Sequence, residues 1–419
     1  MFIDMKFLRC SIQPLFTSVL IVLISLFVYS SCTIDDDDDV KNDKRYSRTV
    51  LLYMVAENSL DYFVADDINE ALRGAGSMTD DDVLVVFVDD VNKPRIYEIN
   101  NKTDVSNFYE LRPTYEFDKD VNSASAEMLR EVLTYMNKKY PTDSSGIIFW
   151  SHASGWVPSP DMYFSAPLRK SFGVDNGKNT NINRGSEMNI ADMAKVLEDF
   201  GKFEFLMFDA CFMQCIEVAY ELRNSTNYII ASPAEIPGLG AEYGSLLRPI
   251  FSNIINPSDI VDAYYRYYEN NRDYGIVLSV IDCNEIEEFA ALMADVISKY
   301  AGDIIEMDVE EVQKYFNYDE WKMMSNYPDF HDIRGLMLKL LTPDEYARWN
   351  ESFMRLVPCA KSTDAWFSEY CYGFLDVDKN QYGGVTMFLP LKKYAREKFY
   401  NYFYTTSWAH AVGFYAPEM

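Results

Sequence analysis

A mostly parallel β-sheet covered by helices on both faces is the architecture that this sequence predicts. Three observations point there: apolar runs of strand length recur along the chain, helical spacings fall between them, and polar turns separate the two. Residues 49–55 form a continuous apolar run, as a strand buried on both faces must. Leu60, Val64, Ile68 and Leu72 then repeat at helical spacing, behind Asn58 and Ser59 as caps. Residues 83–88 read as a second buried strand. Met128, Leu129, Val132, Leu133 and Met136 make a helical stripe that Lys138, Lys139 and Pro141 end, and residues 147–151 are a third strand. A polar segment rich in glycine, proline and asparagine follows over 157–189. Helix 190–200, strand 203–208, helix 212–222 and strand 228–231 continue the alternation. Strand 276–281, helices 285–300 and 343–356, and strand 384–389 read as a smaller C-terminal α/β unit packed on the first.

Composition narrows the function. With 48% hydrophobic and 15% aromatic residues the chain can build real cores. Its formal charge of −27, from 65 acidic against 38 basic side chains, repels a polyphosphate and attracts cations, which argues against nucleic acid as a partner.

The first residues read as an export signal. Lys6 and Arg9 precede an apolar run over 15–28 that is short for a membrane span and ends in Tyr29-Ser30-Ser31-Cys32. Small residues before a cysteine resemble a bacterial lipoprotein signal, in which Cys32 becomes the acylated first residue and anchors the chain to a membrane. A plain secretory signal or a single amino-terminal anchor is the alternative. Residues 35–39 are all aspartate, and the charged stretch that continues to Arg45 is a solvated tether. It resembles the acidic leader of surface lipoproteins in Bacteroides-like bacteria. The expected organisation is therefore a signal over 1–31, a tether over 32–46, a main domain over 47–260 and a C-terminal subdomain over 261–419.

Two segments place a reactive side chain just past a buried strand, the position where sites in such sheets lie. One is Ser151-His152-Ala153-Ser154-Gly155-Trp156; the other is Asp209-Ala210-Cys211-Phe212-Met213. Cys211 is expected to open a helix, whose amino-terminal dipole favours a thiolate, with His152 relaying the proton from a neighbouring strand end. The chain has only 3 histidines, and His331 and His410 lack a glycine-rich strand-end context, so both read as structural. Cys215 sits four residues after Cys211 without converging ligands, and reads as a buried helix residue.

These motifs resemble the caspase-like cysteine peptidases, and the clostripain family among them. The resemblance extends to Leu52-Tyr53-Met54-Val55-Ala56-Glu57-Asn58-Ser59-Leu60, to Glu217-Val218-Ala219-Tyr220-Glu221-Leu222 and to Gly384-Val385-Thr386-Met387-Phe388-Leu389-Pro390. It implies a caspase-like fold and peptide-bond hydrolysis, with Cys211 as nucleophile and His152 as its acid-base partner. The backbone N–H groups of Cys211 and Ala153 would hold the oxyanion. The family has glycine where this chain has Ala153; alanine keeps the N–H, but a positive φ there would penalise it by about 1 kcal/mol. The resemblance places Asp209 in the pocket for the residue before the scissile bond, where it selects arginine, then lysine; a helix-capping carboxylate is the other reading. Glu235, past the next strand, is a second candidate for substrate binding. No organic cofactor is required, and calcium is compatible with the family although the sequence assigns no ligands. The implied partners are proteins or peptides with basic residues, and Arg169, Lys170, Lys178 and Arg184 offer sites for self-cleavage. The rival reading is a non-catalytic surface lipoprotein with this fold that binds protein ligands; a ligase or transpeptidase acting through the same acyl-enzyme is a third.

Overall fold

All eight residues of β1 (Arg48–Val55) are buried, which is the consequence of an apolar run with no polar face. The computed structural model describes residues 44–158, 170–177, 185–271, 273–321 and 327–416. The signal with Cys32 lies outside the described residues, as do the self-cleavage candidates Arg169, Lys178 and Arg184.

β1 is central to a nine-stranded sheet. Parallel to it run β2 (Asp82–Asp89) and β5 (Ser145–Trp150), and β9 (Phe203–Asp209) and β10 (Thr226–Ala231) continue beyond β5 in the same direction. The sheet is finished by antiparallel strands: β3 (Arg95–Ile99) and β4 (Tyr115–Glu116) beyond β2, β11 (Val277–Asp282) and β12 (Cys359–Ser362) beyond β10. β11 and β12 lie on the C-terminal side of residue 261, so one sheet spans both expected units.

Side-chain alternation along β1 splits the core in two. Leu51, Tyr53 and Val55 face a cluster that includes α2 (Ala126–Lys139), α3 (Ile190–Glu198) and α4 (Ile216–Leu222). Val50, Leu52 and Met54 face the other cluster, with α1 (Val64–Gly74), α5 (Tyr243–Ile250) and α6 (Pro257–Glu269). Each large aliphatic side chain so buried is stabilised by about 1.5–3 kcal/mol. The first cluster continues into α7 (Ile286–Ile305), α9 (Ile333–Leu340) and α10 (Pro343–Leu356), past the short α8 (Tyr318–Trp321). Helices α11 (Lys398–Phe403) and α12 (Ser407–Ala411) follow.

Several local expectations need correction. Asn58 and Ser59 cap no helix: Asn58 turns its amide onto the carbonyls of Val55 and Val174, and the helical run starts with a 3-10 turn at Asp61–Phe63. The polar segment is not all loop, since β6 (Ala153–Pro158), β7 (Lys170–Asp175) and β8 (Ser186–Met188) pair as a small antiparallel sheet. Residues 384–389 form no strand; Thr386 makes isolated bridges to Cys215 and Asp332. A further hairpin joins β13 (Ala365–Ser368) and β14 (Gly373–Asp376).

Candidate active site

Pairing register brings the two reactive segments level. β5 and β9 are neighbouring parallel strands in which Trp150 is the partner of Asp209. His152 and Cys211 each follow that pair by two residues, at the carboxyl ends of adjacent strands, where a crevice opens in a sheet of this kind.

The His152 side is fixed by polar contacts among buried backbone. Ser151 donates its hydroxyl to the Val55 carbonyl at 2.8 Å, and Gly173 N–H donates to the His152 carbonyl at 2.9 Å. Ser59 Oγ lies 2.9 Å from His152 Nε2, so the turn after β1 orients the imidazole. Burial lowers the His152 pKa to about 4, which leaves the ring neutral at physiological pH. Ala153, which opens β6 opposite Phe172, is not among the residues with positive φ. The alanine in the glycine position therefore carries no left-handed penalty; the glycine that needs its freedom is Gly155, at φ +65°.

Cys211 does not open a helix. The chain makes a turn in which Phe212 takes φ +59°, and α4 begins only at Ile216, with Cys215 as its N-cap. The reason is lateral pairing: Phe212 and Gln214 donate to the carbonyls of Ala234 and Ser232, and Ile216 donates to Thr386. These amides are used by neighbouring segments instead of a helical ladder. The strained Phe212 is held by stacking on Phe330, with ring centroids 4.9 Å apart. The helix dipole expected to favour a thiolate is absent from Cys211. Burial instead pushes its thiol up to about 12, the Ile236 N–H at 3.3 Å opposes this, and the negative charges of Glu235 and Asp209 add to it. Thiol and imidazole thus each rest neutral.

Asp209, the last residue of β9, is buried. Its carboxylate accepts from Ala241 N–H at 3.0 Å, Tyr243 Oη at 2.9 Å and Tyr264 Oη at 2.6 Å. It caps no helix at Cys211. A carboxylate has about four acceptor directions, so roughly one remains. Glu235 sits next to Ile236 and accepts from Glu369 N–H at 2.9 Å, which ties the β13–β14 hairpin to the site; burial raises its pKa to about 7. Cys215 is buried, one of five free cysteines among the described residues. His331 is buried beside Asp329, 3.6 Å away, and His410 contacts the Tyr404 carbonyl. Ser59, the Ile236 amide and the tyrosines around Asp209 were not legible as site residues. Only Ser59 carried a signal, its place just past the first buried strand.

The model of the clostripain family matches residues 52–415. Clostripain of Hathewaya histolytica is 23% identical over 234 residues, and the alignment covers 50% of this chain and 43% of that protein. This chain thus spans less than half the length of that relative. A secreted cysteine protease from Bacteroides thetaiotaomicron, solved with an irreversible peptide inhibitor, is 28% identical with a TM-score of 0.73. An inactive zymogen protease from Parabacteroides distasonis is 26% identical with a TM-score of 0.72. Each of these two alignments covers 88% of this chain and 99% of the relative. With the family model spanning the strands and turns that carry His152 and Cys211, the chain belongs to the clostripain family of cysteine peptidases.

Proposed function

We propose that this chain is an exported endopeptidase that cleaves after arginine, with lysine second, through Cys211 and His152. The observation that carries this reading is the register of β5 on β9, which sets both residues level past Trp150 and Asp209. Because both groups rest neutral, the Cys211 proton passes to His152 as the sulfur attacks the scissile carbonyl. The carbonyl oxygen becomes an oxyanion, held by the N–H groups of Cys211 and Ala153. His152 then gives the proton to the leaving amine. A water, deprotonated by His152, attacks the thioester, and its collapse returns the proton to sulfur and releases the acid.

Asp209 supports the basic preference: a buried carboxylate with one acceptor direction left is stabilised by a cation and by no apolar side chain. The surplus of acidic residues attracts such substrates. Secretion of the Bacteroides relative, and the apolar run before Ser31-Cys32, support export with a lipid on Cys32 as membrane anchor. No helix among the described residues is long and apolar enough to cross a membrane.

The test is to incubate the purified protein with a thiol-reactive peptide ending in arginine and map the adduct. Label on Cys211, lost in His152→Ala and in excess arginine peptide, is the expected result. Label on Cys359 or Cys371, or none, would favour a binding protein over a peptidase.

A further inference from the structure

Among the described residues only three other than glycine take a positive φ, and two of them meet. Phe212, at φ +59°, follows Cys211, and Phe330, at φ +49°, comes from the connection ahead of α9. The left-handed region is costly for a residue with a Cβ, and a bulky side chain stays there only where its surroundings impose it. Both rings are buried, and they stack with their planes 11° apart and their centroids at 4.9 Å.

Phe330 is the fixed partner. Its neighbour Asp329 is 0% exposed, and the Asp329 carboxylate accepts from Tyr318 N–H at 3.0 Å, from the Lys393 ammonium and from the Tyr394 hydroxyl. The Asp329 carbonyl accepts from the N–H groups of Tyr315 and Phe316, and the His331 carbonyl accepts from Met387 N–H. Residues 315–318 and 387–394 thus hold the backbone beneath the Phe330 ring from two sides. Phe212 N–H donates to the Ala234 carbonyl at 3.0 Å, which fixes one side of that residue, and the Phe330 ring fixes the other. The same ring reaches the histidine strand. A Cβ on Gly155, in β6, would stand 2.7 Å from the Phe212 carbonyl and 3.6 Å from the Phe330 ring, so the strand after His152 and the turn after Cys211 close on one aromatic face.

We propose that Phe330 is a positioning residue for the nucleophile: its ring holds Phe212 left-handed and thereby aims the Cys211 thiol and the Cys211 N–H at the scissile carbonyl. This role rests on Cys211 as the proposed nucleophile. If Phe212 relaxed, the peptide joining it to Cys211 would turn, and a displacement of about 1 Å at a reacting atom costs up to about 100-fold in rate. Phe330 is 3% exposed, too deep to touch a peptide, so its effect falls on kcat and not on KM.

The test compares two replacements at 212. Phe212→Ala and Phe212→Gly both remove the ring, but only glycine takes φ +59° without strain. Turnover of arginine peptides is measured at a temperature where melts show every protein folded. Phe212→Ala should lower kcat at least about tenfold with KM within about twofold. Phe212→Gly should melt below wild type for want of the buried ring, yet keep kcat within about threefold. Phe330→Met, which keeps the volume without the flat ring, should lower kcat at least about fivefold in the wild-type background and less than about twofold when added to Phe212→Gly. A kcat that follows melting temperature through the series, with glycine at 212 as slow as alanine, would overturn the role, and that comparison stands even if Phe330→Met does not fold. So would a wild-type kcat in Phe330→Met. A wild type that turns over no peptide and takes no peptide label at Cys211 would instead overturn the reading of Cys211 as nucleophile, and this role with it.

Discussion

Replacing Asp209 tests the substrate assignment and the folding account together. Asp209→Asn keeps the shape and removes the charge. The amide nitrogen can take the place of Oδ1 if the Tyr264 hydroxyl turns to accept, while the retained oxygen still accepts from Ala241 and Tyr243. The stability cost is then about 1–2 kcal/mol, the difference between charge-assisted and neutral hydrogen bonds. Asp209→Ala leaves three donors without an acceptor, and about 3–5 kcal/mol is expected. For specificity, wild type should prefer arginine or lysine over leucine or alanine by about 100-fold in kcat/KM, equivalent to roughly 2.7 kcal/mol. With one acceptor direction left on Asp209, arginine and lysine should differ by less than about tenfold. In Asp209→Asn the preference for basic residues should fall below about tenfold. The assay is a fluorogenic peptide series varied at the residue before the scissile bond, beside thermal melts of the three proteins. An Asp209→Asn enzyme that keeps the full preference, or a wild type that prefers aspartate, asparagine or aliphatic residues, would refute the reasoning.

Cys211→Ala should abolish peptide hydrolysis and His152→Ala should nearly do so, whereas Cys215→Ala should leave most turnover; equal loss from Cys215→Ala would move the chemistry elsewhere. Gly155→Ala places a Cβ 2.7 Å from the Phe212 carbonyl at φ +65°, so it should destabilise by about 1–2 kcal/mol and slow Cys211 labelling; unchanged melting and labelling would refute the close approach. Because burial holds the Cys211 thiol at about 12 in the free protein, its alkylation by iodoacetamide should rise nearly tenfold per pH unit between about 7 and 10, with Cys211→Ala subtracted as background. A rate already flat at pH 7 would show a preformed thiolate.

The parallel strands were legible because burial on both faces leaves an uninterrupted apolar run: residues 49–55 and 83–88 are the interiors of β1 and β2. Helix 343–356 has the bounds expected of it, with Thr342 and Glu345 forming a capping box that spans Pro343. The misassigned segments have apolar residues set by tertiary contacts, not by period. Residues 212–215 look like the first turn of a helix, yet their amides bond to Ser232 and Ala234. Residues 384–389 alternate like a strand, but they thread between α4 and α9 and make only bridges. His152 and Cys211 were expected at a site because each follows a buried strand, and the register of β5 on β9 sets them level. The Ser59 contact was not legible, because it arises from strand order, with β1 beside β5, which local pattern does not encode.

The charges around Cys211 join specificity to reactivity. Burial alone disfavours the thiolate, and Asp209 and Glu235 disfavour it further, so the free site is poorly nucleophilic. If Asp209 takes the basic side chain as proposed, that cation cancels one of those opposing charges. Thiolate formation would then become easier when the correct substrate is bound, and the gain would appear in kcat as well as in KM. This produces a sign reversal in one variant. Asp209→Asn removes a negative charge from the neighbourhood of the sulfur, so the free enzyme should react faster with iodoacetamide than wild type does. The same substitution removes the cation's partner, so turnover of arginine peptides should fall. A purely structural Asp209 would move both rates down together, through misplacement of Ala241 and the loop that carries Ile236. Measuring alkylation and turnover on one preparation separates the two: opposite changes support the electrostatic coupling, and parallel losses overturn it.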